Sequence, residues 1–157
     1  MDKKNKLAIK IKIQEDDFDV SKETRELQNN NTGAIVNFIG VVRGKDSKTN
    51  KEIYSMTLEY YPEMTELEIE NIVKSSFIKW DISSVTVIHR VGKLFPSDQI
   101  VFVGVASTHR QNSFDACNYI MDWLKTNAPF WKIEEGPKDK KWVDFNLSDI
   151  SATKKWE

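Results

Sequence analysis

The chain has 157 residues, 39% of them apolar and 30% charged, with a formal net charge of −1. This balance suits one soluble globular domain spanning 1–157 and argues against extended disorder or a global basic field of the kind that draws a protein to nucleic acid or acidic membrane. One cysteine, Cys117, excludes a disulfide framework and a cysteine-based metal centre within the chain, and two histidines, His89 and His109, leave too few ligands for a protein-only zinc site.

In chain order, the N-terminal stretch lacks the long apolar core of a signal peptide. No later run approaches the ~20 apolar residues that span a bilayer. The expected compartment is the cytoplasm. Leu7, Ile9, Ile11 and Ile13 alternate with Ala or lysine and predict a half-buried strand. A short helix is expected near 20–29, capped by Ser21, and the cluster NNNTG at 29–33 reads as a turn. The segment GAIVNFIGVVRG (33–44) is apolar on both parities and predicts a central strand, followed by a polar loop and a strand over 53–61. Pro62 opens a helix over about 63–80, whose Ile69, Ile72, Val73, Phe77 and Trp80 form a core-facing stripe.

Two further strands are expected at 83–94 and 99–108, joined by a turn around FPSD. The next helix is expected over 112–127, capped by Asn112 with Asp115 answering it, and buried along Ala116, Tyr119, Ile120, Trp123 and Leu124. Pro129 stops it near 127. FWKIEE and KKWVDF then close a hairpin around Gly136-Pro137. The order predicts an α+β domain with a mixed, mainly antiparallel sheet and flanking helices.

Chemistry concentrates in a few places. His109 and Arg110 stand where a strand gives way to a helix. Free helix amides attract anions there, and arginine can clamp a phosphate through two bonds. A solvated arginine beside a turn histidine is the plainer reading of the same residues. Arg43 closes the strand 34–42 between two glycines, which suits either a cleft or a plain surface arginine. His89 shares parity with Val85, Val87 and Val91 and reads as a hydrogen-bonded core or interface histidine. Lys125 lies in the last turn of its helix, where a cation complements the dipole. On the next strand, alternation groups Phe130, Lys132 and Glu134 on one face and Trp131 with Ile133 on the other, the latter face assigned to the core. Cations crowded into a partly buried cleft favour the neutral amine, a nucleophile or base, of a lysine among them, and a bound phosphate opposes this. The residues themselves define an anion-binding lysine site and no reaction.

With those residues in view, the chain resembles the catalytic (large) subunit of molybdopterin synthase from about Gly33 to Trp142. The motifs that carry the resemblance are GAIVNFIGVVRG, LEYYPEM, VIHRVGKLFPSDQIVFVGVASTHR and MDWLKTNAPFWK. It implies an α/β-hammerhead type of α+β fold and no cofactor. It implies sulfur transfer from the C-terminal thiocarboxylate of a small ubiquitin-like carrier, whose Gly-Gly tail enters a pocket, to cyclic pyranopterin monophosphate. It also implies a dimer of large subunits within a heterotetramer. By position, Lys125 matches the principal catalytic lysine and Lys132 the second. His109 and Arg110 match a pair that holds the pterin phosphate, and Val41, Val42 and Arg43 match the substrate-contacting strand end. Ile133 and Glu134 continue the strand of Lys132, and Phe38, Met121 and Phe130 line the pocket. Two positions depart from the pattern. Val41 stands where a polar residue is frequent, and Asn146 stands where some members carry an arginine, a contact that Lys140 or Lys141 can supply instead. Two other readings stand beside this one: a module that binds a ubiquitin-like tail without catalysis, and a single-stranded RNA binder stacking bases on Phe130 and Trp131.

Overall fold

The computed structural model describes residues 8–137, 140–143 and 147–157. Asn146 and Leu7, which figure in the reading above, lie outside them. Alternating apolar residues build strand β1 (Ala8–Gln14), and helix α1 (Val20–Glu26) follows. The helix begins at Val20, the expected bound, and Asp19, two residues before Ser21, caps it, its Oδ1 accepting from the Lys22 amide at 3.1 Å. Strands β2 (Ala34–Val41) and β3 (Ser55–Tyr60) precede helix α2 (Met64–Lys79).

The expected single strand over 83–94 is two, β4 (Ser84–Arg90) and β5 (Gly92–Leu94). Gly92 has φ +84°, a conformation that redirects the chain into a second sheet. After β6 (Gln99–Ser107) comes helix α3 (Arg110–Asn127), then β7 (Phe130–Glu135), β8 (Lys140–Trp142) and helix α4 (Leu147–Lys154). Helix α3 also begins earlier than expected. His109 is its N-cap, with no side-chain cap bond, and Asn112 sits in the first turn, donating instead to the Asp81 carbonyl at 3.2 Å. Asp115 accepts from Gln111 at 3.1 Å rather than serving a cap.

Two four-stranded sheets result, ordered β1-β4-β6-β2 and β5-β3-β7-β8. Among the described strands only β1 and β4 pair in parallel; the other pairs are antiparallel. The α+β class with flanking helices is therefore as the element order predicts. Strand β2 is an edge of its sheet, not a central strand as its composition suggests. The main core lies where α2 and α3 cover the first sheet, around Ile69, Val73, Val87, Val103, Val105 and Ile120. A second cluster, with Phe18, Leu27 and Phe102, lies under α1, and a third, with Val42, Leu58 and Leu94, joins the second sheet to the first.

The register fixes which residues share an end of the molecule. Gly40 pairs with Val101 and Val101 with His89, while at the other end Ala34 pairs with Ser107. Helix α3 leaves β6 at the Ser107 end, where the Ser113 hydroxyl donates to Ala34 O at 3.4 Å. It runs back along the sheet, so its last turn returns to the end that holds Gly40, Val101 and His89.

Candidate active site

Helix α3 carries Lys125, exposed in its last turn. Lys125 borders an open groove of about 460 Å³ shared with Val36 and Phe38 of β2 and Phe114, Met121 and Asp122 of α3. The groove exists because β2 has no neighbour on its outer side among the described residues, so Phe38 stays 39% exposed and Phe114 56% exposed. The structure thus brings together Lys125, Phe38 and Met121. Val41 and Arg43 emerge exposed at the same end of β2, and Val42 turns inward against Leu58 and Val91.

Strand β7 reaches this end from the second sheet. Its pairing sets Phe130 opposite Tyr60, Lys132 opposite Leu58 and Glu134 opposite Met56, and Leu58 and Met56 are buried. Phe130, Lys132 and Glu134 therefore share the inner face, as the alternation groups them. The assignment of Trp131 to the core is overturned. Trp131 packs on the outer side against Tyr61, centroids 4.6 Å apart, and its Nε1 donates to Glu59 at 2.9 Å. Alternation fixes which residues share a face; the partner strand's buried leucine and methionine decide which face is inner. Phe130, not Trp131, enters the core and stacks on His89 at 3.9 Å and 16°.

Lys132 is half-buried. It stands two residues beyond Phe130 on the same face of β7, and the Phe130 ring lies on His89, so β7 brings it to the end of the fold where α3 finishes with Lys125. Burial above all, then these two cations, holds the His89 pKa down at about 4, against the bond to Arg90 O that favours the charged form.

Other residues do not join this cluster. His109 and Arg110 are exposed at the N-terminus of α3, roughly 22 Å from Lys125 by the helical rise. A cleft holding Lys125, Lys132, Arg43, His109 and Arg110 together does not form within one chain. Glu134 borders a separate cavity of about 350 Å³ with Asp46, Lys51, Glu135 and Lys141, and the Ile133 side chain points to the outer face opposite Trp142. Asp46 is engaged there by the Lys48 and Thr49 amides and by Lys141, which hold its pKa down at about 2. Sequence reasoning missed Phe114 and Asp122 as groove residues because nothing in a helical stripe tells that the neighbouring strand is an edge. Among the described residues no group of His, Cys, Asp and Glu is placed to hold a metal ion, and no helix is long and apolar enough to cross a membrane.

A family profile described as MoaE protein matches residues 13–127. The chain belongs to the MoaE family. Among its relatives, the molybdopterin synthase catalytic subunit of Pseudomonas aeruginosa is 44% identical over 149 residues, 94% of this chain and 98% of that one. The same subunit of Escherichia coli K12 is 44% identical over 148 residues, 94% and 97% of the two chains. The solved MoaE molybdopterin biosynthesis protein of Burkholderia ambifaria superposes with a TM-score of 0.80 at 41% identity, covering 94% of this chain and 97% of that one. The MoaE profile ends at Asn127, so it takes in Lys125 but stops short of Lys132, which the longer alignments to the two relatives are extensive enough to span.

Proposed function

We propose that the chain is the catalytic subunit of a molybdopterin synthase, a sulfurtransferase. It moves sulfur from the thiocarboxylate tail of a small ubiquitin-like carrier to cyclic pyranopterin monophosphate, forming the dithiolene of molybdopterin. The observation that carries this reading beyond family membership is an open groove ending at Lys125, at the end of the fold where β7 also presents Lys132 on its inner face. That groove, walled by Phe38 and Met121, suits a slender Gly-Gly tail whose thiocarboxylate ends at Lys125. Arg43, with the backbone of Val41 and Val42, offers contacts to an anionic pterin from β2, and Phe130 closes the inner wall. Ile133 contributes through its main chain, since its side chain faces away, and Glu134 supports the strand from the neighbouring cavity.

The chemistry asks two things of these residues. The substrate phosphate needs fixed cations. Once sulfur leaves the tail, its acyl carbon passes to water or to an amine. A lysine there stabilises the developing oxyanion, moves a proton, or attacks the acyl carbon. Lys125 takes that central part and Lys132 the second.

His109 and Arg110 meet this site when a second copy supplies them. Strand β2 is an open edge with no charge and no proline over Ala34–Val41, whereas the other edge of the sheet, β1, carries Lys10 and Lys12. Lysine is a device that blunts edge pairing, and β2 lacks it. Antiparallel pairing of two β2 edges about a two-fold axis sets the Ala34 end of one copy beside the Val41 end of the other. The partner's α3 N-terminus then approaches the first copy's Arg43 and Lys125. We assign this work to the cytoplasm, and the single thiol, Cys117, buried and with its pKa pushed up to about 12 by that burial, suits a reducing compartment.

The test supplies thiocarboxylated carrier and pterin precursor to the Lys125→Ala variant and measures dithiolene product by mass spectrometry. A loss of at least about 10²-fold in rate is expected. Tail binding with no sulfur transfer by the unaltered chain would instead favour a non-catalytic docking module.

A further inference from the structure

His89 is the one ionisable side chain in the buried row of β4, and packing alone gives no reason for it. Its neighbours Val85, Val87 and Ile88 are apolar and almost fully buried. A phenylalanine would stack on Phe130 without the cost of burying a polar ring. The imidazole is 5% exposed and held on two sides. Its plane lies on Phe130, and its Nδ1 is 2.8 Å from the Arg90 carbonyl oxygen. A carbonyl only accepts, so Nδ1 carries the proton and Nε2 keeps a lone pair. Nε2 makes no hydrogen bond among the described residues. Strands β1 and β6 set Ile13 and Val101 beside the ring, and the Arg90 guanidinium is turned away, bonded to Glu15 O and Gln99 O at 3.0 Å each. The charged groups nearest in the fold are Lys132, two residues along β7 from the stacked Phe130 and on the same face, and Lys125, in the last turn of α3 at this end of the sheet.

We infer that His89 is a positioning residue of the lysine site: a neutral imidazole, locked in its Nδ1–H form between Arg90 O and the Phe130 ring, whose Nε2 accepts a hydrogen bond from a lysine amine. The inference rests on the sulfur-transfer reading of that site. No bond to carbon or sulfur forms at His89. Its part is to aim the nitrogen of Lys132 or Lys125 without adding a third positive charge. Neutrality is secured because burial and the two lysines hold its pKa at about 4.

Three substitutions separate this from a packing role. His89→Asn keeps an amide donor near the Nδ1 position but has no acceptor at the Nε2 position. His89→Gln extends an amide oxygen to the Nε2 position and loses the Arg90 bond. His89→Phe fills the space alone. In the two-subunit assembly, His89→Asn and His89→Phe are expected to lower kcat for sulfur transfer roughly 10- to 100-fold with the precursor KM near that of the wild type, and His89→Gln to recover most of it. Activity following thermal stability across the three, or His89→Asn or His89→Phe turning over like the wild type, overturns the inference. A second arm needs no catalysis. Imidazole 15N spectra of the unaltered chain should show a protonated Nδ1 and a hydrogen-bond-accepting Nε2 whose resonance moves in Lys132→Met or Lys125→Met. An Nε2 signal indifferent to both also overturns it, even where the wild type proves inert with the carrier, the result that would defeat the sulfur-transfer reading itself.

Discussion

His89 stays neutral inside the protein and is free to charge in the unfolded chain, which ties folding to pH. Its folded pKa of about 4 lies below the ordinary value of 6.5. Between those values the unfolded state binds the extra proton, so stability is complete above pH 6.5 and is lost as pH falls toward 4. A shift of this size corresponds to roughly 2–3 kcal/mol lost by pH 4.5. Urea unfolding at pH 7 and 4.5 should show His89→Phe losing less stability than the wild type by about that amount. Equal losses in the two proteins would mean that His89 is charged, or reachable by water, in the folded state.

At the scale of elements, what holds Lys132 near Lys125 is a polar clasp between α2 and the turn ahead of β7. Thr65, fully buried, accepts from the Tyr61 amide at 3.1 Å and donates from Oγ1 to Pro129 O at 3.0 Å. Thr65→Val keeps the shape and strands both partners. The expected cost is about 1–3 kcal/mol, read as a fall in Tm of roughly 2–4 °C per kcal/mol for a domain of this size. Sulfur transfer should fall further than the stability loss accounts for, because the Pro129 turn sets the approach of β7 to α3. Unchanged Tm would show that the Thr65 hydroxyl is replaceable by water.

The same elements show how far sequence carries. Periodicity locates α2, α3 and their buried stripes, and Pro129 marks the end of α3 at Asn127. Three things escape it because each depends on contacts distant in sequence. One positive-φ glycine, Gly92, splits a continuous β-forming run between two sheets. An apolar strand that reads as central, β2, is an edge, since composition does not tell how many neighbours a strand has. Alternation pairs Phe130 with Lys132 correctly, yet only the buried Leu58 and Met56 opposite them reveal that theirs is the inner face. The lysines of the candidate site are visible as a pair in the sequence, and the separation of His109 and Arg110 from Lys125 follows already from the length of the expected helix between them, a consequence the residue types alone do not announce.

At the scale of the whole molecule, the long reach of α3 makes the proposed site depend on assembly. In the proposed dimer, with Lys125 at one end and Arg110 at the other, each α3 serves two clefts, its own through Lys125 and its neighbour's through Arg110. A mixture of two inactive variants exposes this. In a Lys125→Ala/Arg110→Ala mixed dimer, one cleft carries both substitutions and the other carries neither. Random re-pairing makes half the dimers mixed, each with one intact cleft of two, so activity should return to about a quarter of the wild-type level, by the symmetry of a closed dimer. A site built within one chain gives no recovery at all, since every cleft then retains one substitution. Sedimentation of a third variant ties the result to β2, because a charge placed at the exposed Phe114 beside that edge, as in Phe114→Glu, should yield monomers that fold normally yet transfer sulfur poorly. Recovery in the mixture together with undisturbed dimers of Phe114→Glu would keep the shared cleft and move the interface away from β2.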